Sequence, residues 1–269
     1  RFRNVTGVQT CALPISLWRY AAYRFHALVA RDWQCGRVFI AGDAAHQQPP
    51  FTGQGMCQGV RDVANLTWKL ARVLRGDAHE SLLHTYAIER AEHVRRYTTL
   101  IKGIGHVIGE RDVRAARARD ARLLAEAGGV VKDVPRQHFL PPLSGGLIAT
   151  DGHPANGTLF PQPRVRTNAG DTLMDQVAGT GFRVVADRDF ALPAVTGHEA
   201  VTRLGITLTQ MGSGVSNVNE CDGVLARWFV QHACKAAIVR PDHYVYGVAN
   251  DSAQLSHHLQ MLIQSTGAP

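Results

Sequence analysis

The sequence predicts an α/β protein in two parts: a strand, a turn and long helices in front, and a smaller α/β unit of short strands behind. Three observations lead there. An apolar run, Val38 to Ala41, ends in Gly42-Asp43 and is followed by a glycine-rich stretch, Pro49-Pro50-Phe51-Thr52-Gly53-Gln54-Gly55-Met56. Two stretches after it carry helical periodicity, and beyond Gly128-Gly129 and Pro135, Pro141 and Pro142 come short apolar segments. That break marks a linker and divides the chain into residues 17–135 and 136–269.

Val38, Phe39, Ile40 and Ala41 form a continuous apolar run, the sign of a strand covered on both faces of a sheet. Gly42 lets a ligand approach the backbone, and Asp43 falls at the strand's end, where ligands of open α/β sheets bind. An ionised Asp only accepts hydrogen bonds, so it suits a polyol rather than a phosphate. The spacing then predicts a helix from about Gly55, with Met56, Val60, Val63, Leu70 and Leu74 on its core face together with Ala64, Thr67 and Ala71, ending at Gly76. Its first turn leaves N–H groups free and favours a nearby anion by roughly 0.3 to 2 kcal/mol.

A second helix runs from Ser81 to about Ile108, with Leu82, Leu83, Tyr86, Val94, Tyr97, Leu100, Ile101 and Ile104 largely on one side and Glu89, Arg90, Arg95 and Arg96 outside; a third extends to about Ala127. In the rear half the apolar segments are Phe182–Ala186, Ile206–Thr209 and Ala236–Val239, with a helix near Gly223 to His232. His46 reads as a packed or capping histidine, and Asp62 and Asn65 as residues that hold the first helix in place. Gly103-Ile-Gly105-His-Val-Ile-Gly109 has the wrong spacing for a dinucleotide fingerprint and reads as a helix-packing face or a bend. Arg240 and Asp242 pair with each other or cap local turns.

The chain has 269 residues, 45% of them hydrophobic, and no apolar run of membrane-spanning length. Its five cysteines show no metal or disulfide spacing, so they read as free buried thiols of a reducing compartment, and a cytoplasmic location is expected. The net charge of +7 sits in the front: residues 1–135 hold 20 Lys/Arg against 12 Asp/Glu, and the remainder 9 against 10. Arg111, Arg114, Arg117, Arg119 and Arg122 invite a nucleic-acid reading. They lack interleaved aromatics and alternate with Ala, so a solvated helical face is preferred and no nucleic-acid partner is expected. A basic surface would also draw in anionic ligands.

From about Arg24 to Leu74, carried by Gly42-Asp43, Gly53-Gln-Gly55 and Arg61-Asp62-Val-Ala-Asn65-Leu66, the chain resembles the class A flavoprotein aromatic hydroxylases, most closely the 3-(3-hydroxyphenyl)propionate hydroxylase and phenol hydroxylase-like group. The resemblance implies the C-terminal part of a glutathione-reductase-like FAD-binding domain over residues 17–135. It implies Gly42, Asp43, Ala44, Pro50, Gly53, Gly55, Met56 and Cys57 as cofactor-binding residues, with Asp43 on the ribityl chain and the backbone of Gly55 to Cys57 at the pyrimidine edge. Many relatives carry Asn in place of Cys57. Pro49, Pro50 and Phe51 would wall the flavin from the substrate. The implied reaction hydroxylates a small phenolic or aromatic acid with FAD, NADH or NADPH, and O2; no general base and no metal site can be named.

Residues 136–269 resemble the thioredoxin-like C-terminal domain of phenol hydroxylase-type enzymes, through Gly157-Thr-Leu-Phe-Pro-Gln-Pro163 and Val239-Arg-Pro-Asp-His-Tyr-Val245. No C-x-x-C remains, so a packing role or a homodimer contact is expected in place of thiol exchange. No G-x-G-x-x-G follows a strand, and residues 1–16 read as a non-native leader resembling a translated sequencing adapter. The chain is therefore expected to be the C-terminal portion of a longer enzyme and to hold FAD poorly by itself. Two alternatives stay open: a non-catalytic interaction module and a basic nucleic-acid-binding protein.

Overall fold

The computed structural model describes residues 22–131, 133–134, 139–192, 197–212 and 218–267. The expected leader and Pro135 of the expected linker lie outside them. Two small ribbons open the described part. Strand β1 (Leu28–Val29) pairs antiparallel with a later strand, and β2 (Gln34–Cys35) forms a hairpin with β3 (Val38–Phe39), turning at Gly36 in the left-handed region. The partner of β1 is β4 (His46–Gln47). The strand expected at Val38–Ala41 is thus shorter and is not covered on both faces: Val38 is exposed, and β2 is the only neighbour among the described residues. Its inner side is held by aromatic packing of Trp33, Tyr86 and Phe39, and the Tyr86 hydroxyl donates to the Ile40 carbonyl at 2.8 Å.

Helix α1 (Gly55–Arg75) ends as expected at Gly76, left-handed at φ 79°. Its buried face corrects the sequence reading. Met56, Val60, Val63 and Leu74, expected in the core, are 80, 61, 50 and 76% exposed, while Gln58, Asp62, Asn65, Leu66 and Lys69 are buried. The stripe turned inward is polar because α2 (His84–Ile108) and the rear half offer it buried charged partners. Glu89 and Arg90 of α2, expected outside, are accordingly buried, whereas Arg95 and Arg96 are exposed. A 3-10 turn, Glu80–Leu83, replaces the expected first turn of α2. Helix α3 (Val113–Glu126) has no buried residue, and two of its arginines pair locally, Arg119 with Asp120 and Arg122 with Glu126. Gly105 is a packing glycine, as expected: a Cβ there would meet the Phe51 ring at 2.3 Å.

The rear half begins with an antiparallel hairpin, β5 (Arg164–Thr167) and β6 (Gly170–Leu173), and a short helix α4 (Met174–Ala178). Then come β7 (Arg183–Ala186), α5 (Glu199–Leu204), β8 (Thr207–Gln210), β9 (Asn219–Glu220), α6 (Val224–Gln231), β10 (Ala236–Val239), β11 (Val245–Ala249) and α7 (Ser252–Thr266). The central sheet has the order β11-β10-β7-β8, with β7 and β8 parallel and the other pairs antiparallel. β9 joins β5 in the second sheet.

Alternation along the strands sends Val184, Ala186, Ala236 and Ile238 to one core, packed by α5 and α7, and Val185, Ala237 and Val239 to the other, packed by α4 and α6. The first core also takes Ala78 and Leu82 from between α1 and α2, with Trp68 and Val73 of α1 against it. The two halves therefore share apolar packing.

Candidate functional site

Asp43 lies in a 3-10 turn, Gly42–Ala44, opened by Gly42 at φ 60°. The turn rests on the first turns of α1 because both contact residues lack a side chain: a Cβ on Gly59 would come within 3.3 Å of the Gly42 Cα. Asp62, fully buried, locks the contact. Its Oδ2 accepts from the Gly42 N–H at 3.0 Å and from His46 Nε2 at 2.8 Å, and its Oδ1 accepts from Arg90 Nε at 2.8 Å. The bond places the His46 proton on Nε2, and the ring stacks on Trp33. His46 and Asp62 thus fill the structural roles read from the sequence.

The Asp43 carboxylate itself is exposed, and no side chain bonds it among the described residues. It borders two open grooves. One, of about 650 Å³, is lined by Asp43, Gly55, Met56, Gly59, Val60, Val63 and Ala64. The other, of about 340 Å³, is more polar and includes Arg24, His26, Gln47 and Gln48 together with Asp43, Gly55 and Met56. Asp43, Gly55 and Met56 are therefore brought together, and the exposed apolar stripe of α1 forms a groove wall. Gly42, Ala44, Pro50, Gly53 and Cys57 line neither groove; Gly42 packs against Gly59, and Pro50 and Gly53 bound the 3-10 turn that leads into α1.

That lead-in is tied to α2. Tyr97 Oη donates to Thr52 Oγ1 at 3.1 Å, Gln48 Nε2 donates to Thr98 Oγ1 at 2.8 Å, and the Phe51 ring fills the notch at Gly105. The N-terminus of α1 has neither a side-chain cap nor an acidic residue in its first turn, so its positive end is left without a side-chain partner, and its first two residues, Gly55 and Met56, line the groove. Gly55 has open space where a Cβ would stand. A carboxylate and an uncapped helix end lining one groove suit a ligand that carries hydroxyl groups together with an anionic or carbonyl-rich ring.

Behind the site lies a charge cluster that sequence reasoning missed. Arg240 donates to Glu89 at 3.0 and 2.6 Å and to Asp242 at 3.0 and 2.6 Å. Asn65 Nδ2 donates to Glu89 at 2.6 Å and to Asp242 at 2.8 Å, and Lys69 Nζ donates to Glu89 at 2.7 Å and to Asn65 Oδ1 at 2.9 Å. All five residues are buried. Burial alone would raise the Glu89 carboxyl; the Arg240 and Lys69 charges and hydrogen bonds overcome it and hold the group well below the usual carboxylate range. Burial lowers Lys69 to about 8, with Glu89 opposing and Arg240 adding to the fall. Pairing of Arg240 with Asp242 was one of the two roles expected of them; the links to Asn65 on α1 and Glu89 on α2, with Lys69 bonded to both, were not expected. The one available signal was the recurrence of Gln58, Asp62, Asn65 and Lys69 at helical spacing.

His93, one turn beyond Arg90 and also buried, is pushed down to about 2 by burial and by Arg90, Arg61 and Arg96, so it is neutral. Among the described cysteines only Cys234 is buried, which corrects the expectation of buried thiols: Cys35 and Cys221 are exposed and Cys57 is intermediate. Burial pushes Cys234 up to about 12. Among the described residues no helix is long and apolar enough to cross a membrane.

Residues 3–100 match the model of an FAD binding domain family, and residues 157–265 match that of the HcaD C-terminal domain. A probable NADH-specific resorcinol 4-hydroxylase of Rhodococcus jostii (strain RHA1) is 43% identical over 247 residues, 89% of this chain and 45% of that protein. The chain is related to the class A FAD-dependent aromatic hydroxylases. A 3-(3-hydroxy-phenyl)propionate/3-hydroxycinnamic acid hydroxylase of Mycolicibacterium gilvum (strain PYR-GCK) is 36% identical over 86% of the chain and 45% of its own length. Among solved hydroxylase structures, CabE, an aromatic hydroxylase from angucycline biosynthesis, aligns with a TM-score of 0.64 at 26% identity, covering 90% of this chain and 47% of that one. The flavin-dependent monooxygenase PieE, at 23% identity and a TM-score of 0.66, covers 92% and 50% and supports the fold alone. The chain has the mixed α/β fold of these FAD-binding monooxygenases and spans about half the length of the relatives it matches.

Proposed function

We propose that the chain forms part of an FAD-dependent monooxygenase that hydroxylates a phenolic or aromatic acid with NADH or NADPH and O2. The observation that carries this reading is the meeting of Asp43, Gly55 and Met56 on one groove at the bare N-terminus of α1. Bound FAD would supply hydride acceptance from the nicotinamide and transfer of one oxygen atom from O2 to the phenol, the other leaving as water. Asp43 would hold the ribityl hydroxyls as an acceptor. The N–H groups of Gly55, Met56 and Cys57 would face the pyrimidine edge and stabilise negative charge there. Phe51, seated on Gly105, and Pro49 and Pro50 would keep water from the reacting face. Expression of the whole reading frame tests the proposal: it should yield a yellow protein with one FAD per chain that oxidises NADH or NADPH in step with hydroxylation of a phenolic acid. A colourless product would overturn it.

The same reading takes the rear half as thioredoxin-like. Its support is the order β11-β10-β7-β8 with β7 and β8 parallel, α5 and α7 on one face and α6 on the other, and its C-x-x-C is absent. A packing role or a homodimer through this half, and a cytoplasmic setting, belong to this proposal; sedimentation of the purified chain tests the homodimer.

A further inference from the structure

The polar face of α1 holds two things at once. Asp62 holds the Gly42–Asp43 turn, and Asn65, one turn along, holds Asp242 of the rear half. Asp62 is the one side chain bonded to the Gly42–Ala44 turn among the described residues, since the turn has no side-chain cap and its other bonds run backbone to backbone. A buried carboxylate serves as such an anchor only while a cation neutralises it, and that cation is Arg90. Arg90 is itself buried and is aimed by two further partners, Gln58 Oε1 at 2.8 Å and the Tyr244 hydroxyl at 3.4 Å. Tyr244 stands beside β11, two residues from Asp242, and its ring lies 6.0 Å from the Arg240 guanidinium.

We propose that Asp62, Arg90 and Tyr244 are positioning residues through which the rear half sets the geometry of the Gly42–Asp43 turn. The relay runs from the Tyr244 hydroxyl to Arg90, from Arg90 Nε to Asp62 Oδ1, and from Asp62 Oδ2 to the Gly42 N–H. Loss of the Tyr244 hydroxyl frees one arm of the Arg90 fork, Arg90 shifts on Asp62, and the turn loosens with the folded core intact. The functional consequence rests on the reading that this turn holds the cofactor.

Residue-resolved amide hydrogen exchange on the purified chain without flavin tests the relay. In Tyr244→Phe the Gly42 amide should exchange about tenfold faster than in the parent, with Ala237 and Val248 of the central sheet unchanged. Asp62→Asn sets the upper limit of the effect. Arg90→Lys, which keeps the charge and loses the planar fork, is the second variant and should show the same local signature. Unchanged exchange at Gly42 in both variants overturns the proposal, and so does acceleration at Gly42 matched by Ala237 and Val248, which marks a general loss of stability. Because exchange is read without flavin, a failed relay shows here; a failed cofactor reading shows when saturating FAD leaves the Gly42 amide of the parent unmoved.

Discussion

Glu89 and Arg240 meet end to end in the interior, 151 positions apart in sequence, through two hydrogen bonds of 3.0 and 2.6 Å. With Lys69 and Asp242 the cluster carries two charges of each sign, and Asn65 orients the group. Coulomb attraction inside the protein is large, yet removal of the four charges from water consumes most of it. Relative to apolar side chains of similar size the cluster therefore adds little to net stability, and its bonds join α1, α2 and the rear half.

Arg240→Met leaves the Glu89 and Asp242 carboxylates buried with Lys69 and Asn65 as their remaining side-chain partners in the cluster. The expected loss is about 3 to 5 kcal/mol in urea-unfolding free energy. Trp68 packs against the Arg240 guanidinium, so tryptophan fluorescence and far-ultraviolet circular dichroism should report the change together.

Acid should destabilise the protein in two stages. His93 has a folded pKa near 2 against an ordinary value of 6.5, so the unfolded chain binds its proton first and stability falls as pH drops below about 6.5. Glu89 is depressed as well, and its contribution is lost below the ordinary carboxylate value of 4.5. His93→Met should flatten the upper stage only, measured as urea midpoint against pH.

Lys69 gives the opposite limb. Its folded value near 8 lies below the ordinary 10.5, so the unfolded chain holds the extra proton between them and stability should rise from about pH 8 toward 10. Lys69→Met should remove that rise.

Gly59→Val should wedge α1 away from the Gly42 turn, since even a Cβ stands 3.3 Å from backbone there. A cost of roughly 1 to 3 kcal/mol is expected for such overpacking. Proteolysis between Gly42 and Gly53 should quicken.

Cys234 should resist iodoacetamide in the native chain, being buried with its thiol pushed up to about 12, while the exposed Cys35 and Cys221 react. Peptide mass spectrometry distinguishes the sites.

The Gly42–Ala44 turn and the start of α1 were legible because their logic is local: a strand end, an acid and a glycine-rich helix start lie within about fifteen residues. The rear strands Phe182–Ala186 and Ala236–Val239 were legible as short apolar segments, the first interrupted only by Arg183, and their sheet order was not, since pairing joins segments far apart. The face of α1 was misread because apolar periodicity is taken to point inward. Here Gln58, Asp62, Asn65 and Lys69 have equal claim to a stripe, and the residues that decide between them, Glu89 and Arg90 on α2 and Arg240 and Asp242 after β10, come from two other places in the chain. Edge exposure shortened the predicted strand at Val38 for a related reason: partners of a strand are not written in the strand.

Amide NMR during titration with FAD to millimolar concentration tests the cofactor reading most directly, because it detects binding even where affinity is low. The reading predicts shifts that converge on Gly42–Ala44 and Gly55–Cys57 and vanish in Asp43→Ala. Shifts confined to other parts of the chain, or none at all, would contradict it.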